Sequence, residues 1–185
     1  MSRLSVYLEK MGAKIELTKK DFLPLHIKGD MNLVPMEHVM QKASAQVKSA
    51  LILSALNLKG KTKIIEKRNT RDHTEKLMDY LKVKFKKKVL NKNSTSIELN
   101  GPYEIKPRNI NVASDPSSAA FFIVGALIIP KSNITLKNIA LNKTRIAFID
   151  VLKKMGGKIK IKKTGTISGE DVGEINVTHS LLNGI

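Results

Sequence analysis

Two stretches of the chain are apolar on nearly every side of a helical projection. One comprises Val47, Ala50 to Leu53, Ala55 and Leu56; the other is the unbroken run Ala119 to Ile129. A helix apolar all round is expected to be surrounded by protein. Each run is followed by a turn residue and a strand pattern: Gly60 before Lys61 to Ile65, and Pro130 before Asn133 to Leu136. Three other segments read as an amphipathic helix running into a strand: Leu8-Glu9-Lys10-Met11-Gly12-Ala13-Lys14-Ile15, Leu81-Lys82-Val83-Lys84-Phe85, and Leu152-Lys153-Lys154-Met155-Gly156-Gly157-Lys158-Ile159. Their leading leucines stand 73 and then 71 residues apart. A fixed spacing of this kind marks a repeated supersecondary unit. Each unit reads apolar helix, strand, amphipathic helix, strand, further strand, which places the chain in a layered α/β or α+β class. Gly12 and Gly156 are expected to supply left-handed helix stops. The unit boundary is expected near Asn109 to Asp115, after the turn-rich stretch Asn91 to Pro107. A helical pattern begins at Ser2 and a strand pattern, Glu174 to Thr178, stands near the other end, so about two units are expected, severed at both ends.

Composition narrows the class. The chain has 185 residues, 42% apolar and 26% charged, as globular proteins do. It has no Cys, which excludes disulfides and thiolate chemistry within it. The Ala119 to Ile129 run is too short to span a bilayer, and residues 1–10 lack the long apolar core of a signal peptide, so a cytoplasmic protein is expected. The net charge of +17 invites a nucleic-acid reading. Yet 28 of the 33 basic residues are Lys, and aromatics are only 4% of the chain. Bidentate base contacts use Arg and stacking uses aromatics, so nucleic acid is not the expected partner. The runs Lys82 to Val89 and Lys158 to Lys163 alternate Lys with apolar residues, as strands with one solvated face. The four His show no metal-ligand spacing, so a zinc site is not expected, and no phosphate-cradling glycine loop is present.

Three helix starts carry polar signatures. Ser44 is a candidate N-cap with Gln46 in the first turn. Thr70 is a candidate cap with Asp72 and Glu75 facing the positive helix end. Asp115 is a candidate cap followed by Pro116. All three can be simple caps, or their free N–H groups can bind anions. Arg71 is the odd residue. A cation at a helix N-terminus opposes the dipole and needs an anion, from Asp72, Glu75 or a ligand.

Around these residues the sequence resembles a known family. Ala43-Ser44-Ala45-Gln46-Val47-Lys48-Ser49-Ala50 and Thr70-Arg71-Asp72-His73-Thr74-Glu75-Lys76 are similar to two motifs of the 5-enolpyruvylshikimate-3-phosphate synthases, most like the bacterial class that contains glyphosate-insensitive members. Ser114-Asp115-Pro116-Ser117-Ser118-Ala119-Ala120-Phe121, Leu141-Asn142-Lys143-Thr144-Arg145, Met155-Gly156-Gly157-Lys158-Ile159 and Gly169-Glu170-Asp171-Val172 resemble further family runs, in order, across essentially the whole chain. The family's Pro-Gly before the Asp is replaced by Ala113-Ser114, which leaves the backbone there open.

The resemblance implies repeated βαβαββ units of the enolpyruvyl transferase inverse-barrel fold, with residues 1–112 as the last unit of one globular domain and 113–185 as the first unit of a second. It implies transfer of the enolpyruvyl group of phosphoenolpyruvate to the 5-hydroxyl of shikimate 3-phosphate, with release of phosphate and no metal or cofactor, by a monomeric enzyme. Ser44, Ala45 and Gln46 fall on the shikimate 3-phosphate contact segment, with Ser44 on the phosphate and Gln46 also toward the enolpyruvyl side. Arg71 falls on a substrate-binding arginine. Asp72, His73 and Glu75 are left as structural, and Asp115, Ser117 and Ser118 fall on the crossover between domains. The family's acid–base segments lie outside this chain, so no catalytic residue is assigned within it and turnover by the 185 residues alone is not expected. Two alternatives remain: a UDP-N-acetylglucosamine enolpyruvyl transferase, whose family lacks the Thr70 to Lys76 motif, and an inactive remnant or basic binding module.

Overall fold

A computed structural model describes residues 2–18, 22–30 and 32–185. Met1, where the expected first unit begins, and Met31 lie outside the described residues. Contacts divide the chain into two compact units, residues 1–107 and 108–185.

The first unit opens with helix α1 (Ser2–Lys10) and the hairpin β1 (Lys14–Thr18) and β2 (Phe22–Lys28). It continues with β3 (Glu37–Met40), α2 (Ala45–Ala55), β4 (Gly60–Glu66), α3 (His73–Tyr80), β5 (Phe85–Asn91) and β6 (Ser94–Gly101). The four strands after the hairpin form one sheet in the order β3-β4-β6-β5. β3 and β4 are parallel, joined by α2 as a crossover; the other pairs are antiparallel. α2 lies on β4 and β6, and its Leu51 and Ile52 meet Ile64 and Ile97 in a core closed by Met11 and Met40.

The second unit repeats this order. It contains α4 (Pro116–Ile128), β7 (Asn133–Ala140), α5 (Ala147–Lys154), β8 (Lys158–Ile167) and β9 (Glu170–Thr178), with sheet order β7-β9-β8. The place of β3 is taken by a single parallel bridge, Ser114 to Ile139, in which the Ser114 amide donates to Asn138 and its carbonyl accepts from Ala140. Ser114 is thereby fixed as a one-residue strand in front of α4. Ile123 and Leu127 of α4 pack with Ile149, Ile175 and Val177 in a second core.

The expected helix stops are in place. The amides of Ala13 and Gly157 reach back to the carbonyls of Leu8 and Leu152, and Gly12 and Gly156 hold positive φ of 103° and 97°. After α3 the same turn is made without glycine: Lys82 takes φ 62° and the Val83 amide bonds to Met78.

Three expectations are corrected. α4 is not enclosed: Phe121 is 83% and Phe122 65% exposed, because one three-stranded sheet covers a single side of a helix. Leu53 of α2 is likewise exposed. β5 does not have one dry face; beyond half-buried Phe85 it is solvated on both, as the edge strand of its sheet, and its lysines discourage further pairing. The turn-rich stretch Asn91 to Pro107 holds β6, an inner and mostly buried strand. Its Ser and Thr are buried because they are bonded: the Ser94 hydroxyl donates to the Glu66 carbonyl and Thr95 to the Asn69 side chain. Among the described residues no helix is long and apolar enough to cross a membrane.

Candidate functional site

β3 and β4 run parallel with Met40 opposite Glu66, so the connections that follow them leave the same edge of the sheet side by side. One leads to the N-terminus of α2 and the other to that of α3. The structure therefore brings the Ser44 to Gln46 segment and the Arg71 segment to one end of the unit.

Ser44 is the N-cap of α2, with φ −150° and ψ 108°, and its Oγ accepts the Val47 amide at 3.4 Å. As an acceptor in that bond, the hydroxyl keeps its own proton to donate. Ala45 and Gln46 are the first two helical residues, where backbone N–H groups have no partner within a helix. Gln46 is exposed, and its Oε1 accepts from the Arg3 guanidinium of α1. A cleft of about 460 Å³ opens beside it, lined by Arg3, Tyr7, Lys10, Lys42 and Ser44 among others. Three cations and no carboxylate line this cleft among the described residues.

The α3 entrance differs from expectation. Thr70 does not cap; its hydroxyl donates to the Glu66 carboxylate, and Asp72 holds the cap position without a side-chain cap bond. Neither expected acid reaches Arg71. Asp72 pairs with Lys76 at 3.7 Å, and Glu75 is buried against Lys48 at 2.8 Å. Among the described residues, no hydrogen bond or ion pair engages the Arg71 guanidinium. His73 begins α3. His38 is buried, with its ring edge-on to Tyr7; burial, then the charge of Lys10, holds its imidazole below the ordinary range.

Two groups of residues at this site escaped sequence reasoning. Arg3 and Lys10 sit on an amphipathic helix whose position against α2 no local pattern announces. Lys48 was hidden in an otherwise apolar helix. It is fully buried and bonds both Glu66, at 3.2 Å, and Glu75. The available signal was that lone lysine on the buried face, which demands a buried partner.

The second unit shows the same entrances differently filled. Asp115 caps α4, one oxygen accepting the Ser118 amide at 3.0 Å and the Ser118 hydroxyl at 3.1 Å. Its other oxygen accepts from Arg145 Nη2 at 2.6 Å, and Arg145 also donates to Ser117 at 2.7 Å. Arg145 directly precedes the cap residue of α5, as Arg71 directly precedes that of α3. Partial burial pushes the Asp115 carboxyl up. The Ser118 and Ser117 amides, the Ser118 hydroxyl and Arg145 together outweigh it and hold it below its ordinary 3.8. A lowered folded value means that this stabilisation is complete above the unfolded value and is lost as pH falls through the folded one. Acid melting of the second unit below pH 3.8 should therefore become shallower in Asp115→Asn, as followed by amide exchange of α4.

Comparisons with known proteins bear on the family and the backbone of the chain. The family profile described as EPSP synthase (3-phosphoshikimate 1-carboxyvinyltransferase) matches residues 1–184. The chain is 40% identical over 189 residues to a 3-phosphoshikimate 1-carboxyvinyltransferase of Sphingopyxis alaskensis and 44% identical over 193 residues to one of Caldicellulosiruptor bescii, covering 100% of this chain and 42% of each relative. A solved EPSP synthase from Acinetobacter baumannii superposes with a TM-score of 0.82 at 36% identity, over 100% of this chain and 41% of that one. The chain thus spans less than half the length of these relatives. With a profile match over nearly every residue and a shared backbone, this chain belongs to the EPSP synthase family.

Proposed function

We propose that the protein works in the transfer of the enolpyruvyl group of phosphoenolpyruvate to the 5-hydroxyl of shikimate 3-phosphate, and that this chain supplies part of the shikimate 3-phosphate site. Residues 1–112 and 113–185 are proposed as units of two different globular domains of that enzyme. The same reading makes it a monomeric cytoplasmic enzyme that uses no metal or cofactor.

The observation that carries the site is the contrast between the two units. In the second, the arginine at the amphipathic-helix entrance is satisfied by the carboxylate that caps the neighbouring helix. In the first, the corresponding cap is the neutral Ser44 and the corresponding arginine, Arg71, has no carboxylate partner among the described residues. An anion is thus supplied internally at one position and left to a ligand at the other. Shikimate 3-phosphate carries both a phosphate and a carboxylate. The Ser44 hydroxyl, the first amides of α2 and Arg71 are suited to an anion of that kind. Holding the anionic groups fixes the direction of the 5-hydroxyl, which lowers the entropic part of the barrier. Gln46, bonded to the Arg3 that lines the basic cleft, is proposed to face the second, enolpyruvyl-bearing substrate. Its tether to Arg3 limits its rotamers before substrate arrives.

Titration calorimetry of the chain with shikimate 3-phosphate tests this. Arg71→Ala should weaken binding by about tenfold or more, the size expected for loss of one charge-assisted contact. A dissociation constant unchanged by the substitution would remove Arg71 from the site.

A further inference from the structure

Lys48 lies in the first turns of α2, and its ammonium is held between a carboxylate that ends β4 and a carboxylate in the first turn of α3. All three side chains are at most 3% exposed. Thr70, immediately before Arg71, donates to Glu66, and the Ser49 and Thr74 hydroxyls share a hydrogen bond alongside. Lys87 approaches Glu75 at 3.8 Å from the solvent side. The cluster thus touches α2, α3 and the segment that bears Arg71.

Such a cluster is not what the fold requires at this place. Counted from the helix caps and the strand ends, the matching residues of the second unit are Ala119, Ala140 and Ile149, all buried and all apolar. The same topology closes there with no buried charge. Buried ion pairs are commonly matched in stability by apolar residues of similar volume, so folding alone does not explain their presence in the first unit. What the first unit has in addition is an open anion position, whose two halves must keep a fixed spacing with no internal carboxylate to bridge them.

We propose that Lys48 is a positioning residue for shikimate 3-phosphate, its ion pairs with Glu66 and Glu75 setting the spacing between the Ser44 to Gln46 entrance and the Arg71 entrance. This rests on the reading of those entrances as the binding site. Lys48 itself is buried and touches no ligand. Its effect on affinity passes through the orientation of α2 relative to the Thr70-Arg71 segment.

The test copies the second unit into the first. The variant Lys48→Ala with Glu66→Ala and Glu75→Ile removes all three charges together and leaves none unpaired. It should melt close to the parent chain, while exchange of the hydrogen-bonded amides that flank the two entrances, Val47, Asn69 and Lys76, quickens by about tenfold. The shikimate 3-phosphate dissociation constant should rise by about tenfold. Unchanged exchange and affinity in a folded triple variant would overturn the proposal. Thr70→Val removes one hydrogen bond to Glu66 and no buried charge. It should raise the dissociation constant with a smaller loss of stability than Lys48→Ala, and an unchanged constant there would overturn the proposal even where the triple variant does not fold. Should the parent chain bind no shikimate 3-phosphate, the binding-site reading fails, and the exchange rates still decide whether Lys48 orders the two entrances.

Discussion

Ser44→Asp should abolish shikimate 3-phosphate binding while leaving the fold intact. The second unit shows what such a carboxylate does. Asp115, at the corresponding helix cap, accepts amide and hydroxyl bonds from Ser118 and pairs with Arg145 at 2.6 Å. An aspartate at position 44 can cap α2 as well as serine does and adds a favourable charge at its N-terminus, so the melting temperature should stay level or rise. The same charge would occupy the anion position, engage Arg71 and repel the substrate phosphate. Like-charge juxtaposition costs several kcal/mol, so affinity should fall by about a hundredfold or more. Calorimetry and a thermal melt on the same sample read both arms. A Ser44→Asp chain that binds like the parent would mean that the first unit's cap is not where the anion sits.

Lys48→Ala alone should be among the most destabilising single substitutions in the first unit. It leaves Glu66 and Glu75 buried without the ammonium between them, and among the described residues Glu75 Oε2 already has no hydrogen-bond partner. Removing one member of a buried ion cluster costs about 3–5 kcal/mol, most of it the penalty of the charges left behind. The second core, around Ile123, Leu127 and Ile175, shares no residue with the first. Exchange protection should therefore fall in α2, β4 and β6 and hold in α4, β7 and β9. A loss below about 1 kcal/mol would show that the cluster is solvated or neutral in solution.

The sequence made legible whatever is written locally. Ser44 and Asp115 cap because their short polar side chains reach the amides of the first helical turn that follows them. Gly12 and Gly156 end helices because no other residue takes positive φ as freely. The repeat spacing announced the order of elements in both units. What stayed hidden depends on partners distant in sequence. β6 looked like a turn because its Ser and Thr are polar; their partners, Glu66 and Asn69, lie more than 20 residues away. Lys48 finds Glu66 and Glu75 only once α2 crosses between two parallel strands. The open flank of α4 was misjudged because periodicity reports which side chains are apolar and not what covers them. For the site, residue type and the family resemblance indicated Ser44, Ala45, Gln46 and Arg71. The sheet register placed their two segments side by side.

The two helix entrances of the first unit are proposed to receive one anionic substrate together. Nuclear magnetic resonance titration of the chain with shikimate 3-phosphate tests this directly, since it detects even millimolar binding. Saturable shifts are expected at the amides of Ser44, Ala45 and Gln46 and at the Arg71 guanidinium. Little change should appear at Asp115 and Arg145, where the anion position is already filled. Shifts confined to the second unit, or none at either entrance of the first, would contradict the proposal.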